Sequence, residues 1–133
     1  MNSCSNHNTL SFGHRGAKGY VAENTFESIS KAIELGVDGI EIDVFKCLSG
    51  DLVLFHDKDL KDLTGESGQI ENLTINELEE FLVLEKYKIP TLNDVLMKIE
   101  SPLFVNIELK GSDTAGATSK IVADFSRKTS WTQ

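Results

Sequence analysis

Apolar and polar positions recur along this chain in two periods, and each change of period marks an element. TLSFG is a short apolar run, and from about Thr25 to Leu35 the residues Phe26, Ile29 and Ile33 recur at helical spacing. Asn24 or Thr25 is the candidate N-cap, with Glu27 in reach, and Gly36 stops the helix. The period drops to two at Ile40–Phe45, and another apolar run covers Leu52–Phe55. After His56 the chain turns polar and Gly-bearing (DKDLKDLTGESGQIEN), which predicts a small insertion over about residues 57–89. Within it, Thr74 and Glu77 spell a capping box before Leu78, Phe81 and Leu82. Thr91, after Pro90, starts a helix that turns Leu92, Val95, Leu96 and Ile99 inward. Leu103–Leu109 predicts a strand, and Ile121, Val122 and Phe125 a last amphipathic helix, after which RKTSWTQ has no evident structural purpose.

Alternating strand and helix signals predict an α/β fold in which the first helix packs on a parallel sheet. About three strand-helix units are legible, whereas a closed (β/α)₈ barrel needs eight and about 250 residues. The chain therefore reads as truncated. An open sheet with so few strands leaves an apolar face and an unpaired edge, and both invite self-association or a complementary half.

With 133 residues, 40% of them apolar, the chain can bury the core of a single globular domain. Its 21 acidic and 13 basic residues give a formal net charge of −8, which argues against a general nucleic-acid or anionic-membrane binder. Cys4 and Cys47 have the spacing of neither a disulfide framework nor a zinc site and read as free thiols in a reducing compartment. MNSCSNHNTL lacks the basic start and apolar run of a secretory signal, and no stretch approaches a membrane span, so the expectation is a soluble cytoplasmic protein.

The most informative departure from a plain core pattern is acidic. Glu41 and Asp43 in GIEIDV share one strand face while Ile40, Ile42 and Val44 take the other. Glu108 in VNIELK shares a face with Lys110, opposite Val105, Ile107 and Leu109. Carboxylates on otherwise buried strands are costly without a cation between them, and three hard oxygen ligands suit Ca²⁺ or Mg²⁺.

Further candidates end the other strands. In His14-Arg15-Gly16, glycine permits a sharp turn and Arg15 can present a planar fork to two phosphate oxygens. Taken alone, the triplet is more simply a turn with a solvated arginine, and His56-Asp57 an ordinary strand terminus. Together, His14, Arg15, Glu41, Asp43, His56, Glu108 and Lys110 all fall at or near the C-terminal ends of predicted strands, where parallel α/β sheets place active sites. Alternation makes His14 extend the face of Leu10 and Phe12, and His56 that of Leu52 and Leu54. Arg15, Lys110 and a divalent cation would neutralise a phosphate, and two imidazoles would serve as general acid and base, a combination suited to phosphodiester cleavage.

HRG, ENTFESISKAIELG, GIEIDVFKCLSGDLVLFHDKDLKDLTG, IPTLNDVL and NIELK occur in order, and together they resemble the glycerophosphodiester phosphodiesterase family over about residues 12–110. The resemblance implies that residues 1–133 form the N-terminal part of a TIM barrel and a partial phosphodiesterase domain. It implies metal-dependent hydrolysis of glycerophosphodiesters to glycerol 3-phosphate and an alcohol, in lipid and glycerol metabolism. His14 and His56 would be the acid-base pair, Arg15 and Lys110 the phosphate ligands, and Glu41, Asp43 and Glu108 the ligands of Ca²⁺ or Mg²⁺. Asp57 would orient His56 or, as slightly favoured, cap the turn. Glu23 and Asn24 match a Glu-Asn-Thr segment that starts the helix or touches substrate. The family pattern stops after Lys110, which keeps open an inactive remnant that binds a divalent cation or phosphate without turnover. An α/β scaffold with merely solvated strand-end charges is the blandest alternative.

Overall fold

Three parallel strands and the three helices packed with them carry the molecule. The computed structural model describes residues 9–100 and 102–129, so Cys4 and the last residues of RKTSWTQ lie outside the described residues. Strand β1 (Phe12–His14) leads to helix α1 (Phe26–Glu34) and then to β2 (Gly39–Lys46) and β3 (Leu52–Leu54). Next come the insertion elements: α2 (Lys61–Thr64), a 3₁₀ turn (Ile70–Asn72), α3 (Ile75–Leu78), β4 (Leu82–Val83) and β5 (Tyr87–Lys88). Helix α4 (Leu92–Lys98), β6 (Phe104–Leu109) and α5 (Thr114–Thr129) complete the order.

Local chemistry sets the helix ends. Thr25 is the N-cap of α1 and accepts from the Ser28 N–H, and Gly36, with φ 81°, follows the helix in the left-handed conformation. Thr74 and Glu77 form both bonds of the capping box on α3, and Thr91 accepts from the Asp94 N–H at the start of α4.

Strands β1 and β6 flank β2 in parallel, with Gly39 opposite both Phe12 and Phe104, and Asp43 opposite Glu108. Ile40, Ile42 and Val44 point into a core closed by Ile29 and Ala32 of α1 and by Leu92, Val95 and Leu96 of α4. The units β1-α1, β2 with α4, and β6-α5 match the three predicted ones.

Strand β3 differs from the expectation of a parallel sheet. It folds back on β2 as an antiparallel hairpin, pairing Val44 with Leu54 and Lys46 with Leu52. Five residues, Cys47 to Asp51, are too few for a crossover, so only a hairpin can form. The hairpin separates two cores. Leu52 and Leu54 join the helix-side core, whereas Phe45, Cys47, Val53 and Phe55 pack with Leu60, Ile70, Leu78, Val83 and Ile89 of the insertion. The insertion thus has a hydrophobic centre of its own, although its sequence reads as a polar excursion.

On the face of β2 that bears the carboxylates, Phe12 and Phe104 stack with ring centroids 6.4 Å apart and stay partly exposed. This is the open apolar face expected of a partial barrel. Cys47 is a buried free thiol. No helix among the described residues is long and apolar enough to cross a membrane.

Candidate active site

Glu41 and Asp43 project from the middle of β2, flanked by His14 at the end of β1 and by Glu108 on β6. The register makes His14 the neighbour of Glu41, and His14 Nε2 lies 3.7 Å from Glu41 Oε1. Oxygen atoms of Glu41, Asp43 and Glu108, one from each, all lie within 4.8 Å of one another.

The β1–α1 loop wraps this cluster. Arg15 and Gly16 both adopt left-handed backbone, at φ 55° and 84°, and a Cβ on Gly16 would overlap Ser28 of α1. This turn aims the Arg15 N–H at Glu41 Oε1, 3.2 Å away, and brings the guanidinium into the site. Its Nη1 pairs with Glu23 Oε2 at 2.9 Å, and its Nε stands 3.7 Å from Asp43 Oδ2. Asn24 bonds Asp43 twice: Nδ2 donates to Asp43 Oδ2 at 3.1 Å, and its side-chain oxygen accepts from the Asp43 N–H at 3.3 Å.

The two inner carboxylates therefore share a pattern, with one oxygen held and the other free. Glu41 Oε2 and Asp43 Oδ1 are buried and have no hydrogen-bond partner among the described residues. Orphaned carboxylate oxygens in a protein interior call for a cation. Burial first, and the Asp43 charge next, push Glu41 up to about 7 from an ordinary 4.5. The donor set fits a divalent ion such as Ca²⁺ or Mg²⁺: hard oxygens only, spaced no more than 4.8 Å apart, where ligands across one Ca²⁺ are about 5 Å apart.

Glu108 is more open, and Lys110 is its close companion, with Nζ 3.4 Å from Glu108 Oε2. Lys110 holds Glu108 below the usual carboxylate range, and His56 adds a smaller pull in the same direction. The Lys110 N–H donates to the Val44 carbonyl, so β6 stays in step with β2 to the end of the site. Behind it, Glu71 of the insertion accepts from the Ser112 N–H at 2.9 Å and ties the β6–α5 loop down.

His56 arrives by a route that alternation does not predict. Continued strand geometry would put it on the helix side with Leu52 and Leu54, but β3 ends at Leu54 and His56 lies in the bend that follows, near enough to Glu108 for its charge to act on that carboxyl. Because β3 runs antiparallel, its C-terminal end descends beside Asp43, whose carbonyl accepts from the Phe55 N–H. Asp57 Oδ1 lies 2.6 Å from His56 Nδ1, so it orients the imidazole; the turn-capping reading gives way to this contact. All seven sequence-selected residues thus lie in one region. Sequence reasoning missed what Asn24, Glu23 and Glu71 touch. The Glu-Asn-Thr match singles out Glu23 and Asn24 without giving their partners, and an asparagine next to an N-cap threonine, where left-handed backbone is tolerated, is a further signal for Asn24.

The model of the Glycerophosphoryl diester phosphodiesterase family matches residues 14–131. The chain belongs to this family. A glycerophosphodiester phosphodiesterase of Caldanaerobacter subterraneus is 36% identical over 110 residues, covering 77% of this chain and 45% of that protein. The crystal structure of the Thermotoga maritima glycerophosphodiester phosphodiesterase superposes with a TM-score of 0.75 at 36% identity, over 92% of this chain and 51% of that one. A phosphodiesterase of Oleispira antarctica, solved with the product sn-glycerol-3-phosphate, superposes with a TM-score of 0.82 at 28% identity, over 94% of this chain and 54% of that one. The chain thus spans about half the length of these relatives, and its fold is the N-terminal part of the family's TIM barrel. The family resemblance read from HRG through NIELK is the correct one.

Proposed function

We propose that this chain supplies the catalytic residues of a metal-dependent glycerophosphodiester phosphodiesterase, releasing glycerol 3-phosphate and an alcohol. The observation that carries the reading is the pair of free, buried oxygens on Glu41 and Asp43, with Arg15 beside Asp43 and Lys110 beside Glu108. Glu41, Asp43 and Glu108 would hold Ca²⁺ or Mg²⁺, which when bound supplies Lewis-acid charge to a phosphate oxygen. Arg15 and Lys110 bind the phosphate from two sides and stabilise charge that develops on its non-bridging oxygens. One of His14 and His56 takes the proton from the attacking oxygen as its bond to phosphorus forms, whether that oxygen is water's or a glycerol hydroxyl's, the latter giving a cyclic phosphate that water then opens to glycerol 3-phosphate. The other gives a proton to the alcohol oxygen as the phosphorus–oxygen ester bond breaks. Asp57 keeps the His56 ring aligned for either duty.

The Oleispira relative's product complex supports the glycerol 3-phosphate assignment. A role in lipid and glycerol metabolism follows from that substrate class, and a cytoplasmic setting accords with the free Cys47 thiol. The domain reading is a partial barrel over residues 1–133 with its insertion at about 57–89. The exposed Phe12 and Phe104 give a second copy or a complementary half-barrel an apolar surface to cover.

The deciding experiment measures glycerol 3-phosphate released from glycerophosphocholine by the purified chain, with Ca²⁺, Mg²⁺ or chelator, beside a Glu41→Ala control. Metal-dependent release that Glu41→Ala abolishes establishes the reading. The second reading is cation or phosphate binding without turnover. Folded protein that binds Ca²⁺ and releases no product would establish that one instead.

A further inference from the structure

One neighbour grips Asp43 at both its main chain and its side chain. Asn24 is 2% exposed, holds a left-handed backbone at φ 56°, and donates its own N–H to the Arg15 carbonyl at 2.8 Å. It is not the cap of α1, because Thr25 fills that position. Its place is a gap in the sheet. Pairing of β1 with β2 ends at Glu41, and pairing of β3 begins at Val44. The Asp43 carbonyl is met by Phe55, but neither strand reaches the Asp43 N–H, and the Asn24 side chain takes it.

The chemistry of that slot selects a carboxamide. A backbone N–H can only donate, so it must face the Asn24 oxygen, which turns the NH₂ toward Asp43 Oδ2. A carboxamide carries its acceptor and its donors on two separate atoms, so it meets the Asp43 N–H with one and Asp43 Oδ2 with the other. Aspartate would set a second carboxylate against Asp43. With Oδ2 engaged by Asn24 and faced by Arg15, the other oxygen, Oδ1, is the free one.

We propose that Asn24 is a positioning residue that fixes the rotation of the Asp43 carboxylate and so reserves Oδ1 for the cation shared with Glu41 and Glu108. The inference rests on the metal reading of the site. Outer partners of this kind typically contribute about 10- to 100-fold to metal affinity.

Calorimetric titration of the 133-residue chain with Ca²⁺ tests it, using wild type, Asn24→Ala, Asp43→Asn and the double variant, each checked by near-UV circular dichroism. Asn24→Ala is expected to weaken Ca²⁺ binding about 10- to 100-fold, and to add nothing when Asp43 is already Asn, because it acts through that residue. Asn24→Gly, which suits the left-handed backbone, takes its place if the alanine variant does not fold. Wild-type affinity in the Asn24 variant, or losses that multiply in the double variant, would overturn the proposal. So would loss of folding in both Asn24 variants, which would make Asn24 a residue of the fold alone. A wild type that binds neither Ca²⁺ nor Mg²⁺ would instead sink the metal reading as a whole.

Discussion

Glu23 Oε2 lies 2.9 Å from Arg15 Nη1, and the two side chains are only 12% and 15% exposed. The same guanidinium stands 3.7 Å from Asp43, so Arg15, the proposed phosphate ligand, is held between two carboxylates. Glu23→Ala leaves that cation without its shortest partner in a poorly hydrated place. The expected cost is about 3 kcal/mol, toward the low end for breaking a buried pair, and Glu23→Gln should cost less because it keeps an acceptor. Urea unfolding measures both. A loss below about 0.5 kcal/mol would mean that the pair behaves as a solvated surface contact.

Glu41 should give the metal-free protein a stability that falls as pH rises. Its folded pKa of about 7 exceeds the ordinary 4.5, so the native state holds the proton more tightly. The contribution is complete below the unfolded value and is lost as pH climbs through about 7, by no more than about 3 kcal/mol. Glu108 is shifted the other way, and its smaller contribution is present above the unfolded value and fades as pH falls. Unfolding midpoints in chelator at about pH 5 and about pH 8 should differ in wild type and converge in Glu41→Gln. An unchanged difference in that variant would assign the effect to other groups.

Gly111→Ala should destabilise the protein by about 2 kcal/mol or more, since its φ of 70° disfavours a side chain. The added Cβ would also overlap Glu71 Oε2 and come within 2.9 Å of Phe45 Cδ1. Adding Glu71→Ala should relieve only the first contact and leave the backbone strain. A denaturant series on the single and double variants separates the two terms, and full recovery in the double variant would show that strain contributes nothing.

If the proposed hydrolysis operates, His56→Ala should lower kcat by about 10²- to 10⁴-fold with little change in KM. Asp57→Asn should give a smaller loss, because the imidazole keeps its place but loses the carboxylate that orients Nδ1. Steady-state kinetics on both variants test this. An Asp57→Asn effect confined to KM would relocate Asp57 to substrate binding.

Legibility in the sequence tracked the range of the interaction. Helix α1 was readable to within about a residue at each end because Thr25 and Gly36 act on their immediate neighbours. The facing of Glu41 and Asp43 against Ile40 and Ile42 was likewise readable, since alternation needs only an extended backbone. The insertion core was not, because Leu60, Ile70, Leu78, Val83 and Ile89 are too widely spaced to form a periodic signal. His56 was placed in the right region by a faulty route, since the parity argument assumed a strand that stops at Leu54.

What the sequence determined by itself was therefore the residue chemistry, the helix caps, the family and the strand face of each carboxylate. Tertiary structure alone decided that β3 doubles back, that Asn24 fills the gap beside Asp43, and that Glu71 holds the loop after Lys110. The physical reason is chain distance. Periodicity and capping act over at most four residues, whereas the Asn24–Asp43 and Glu71–Ser112 bonds join positions 19 and 41 residues apart, which meet only once the sheet and insertion have packed.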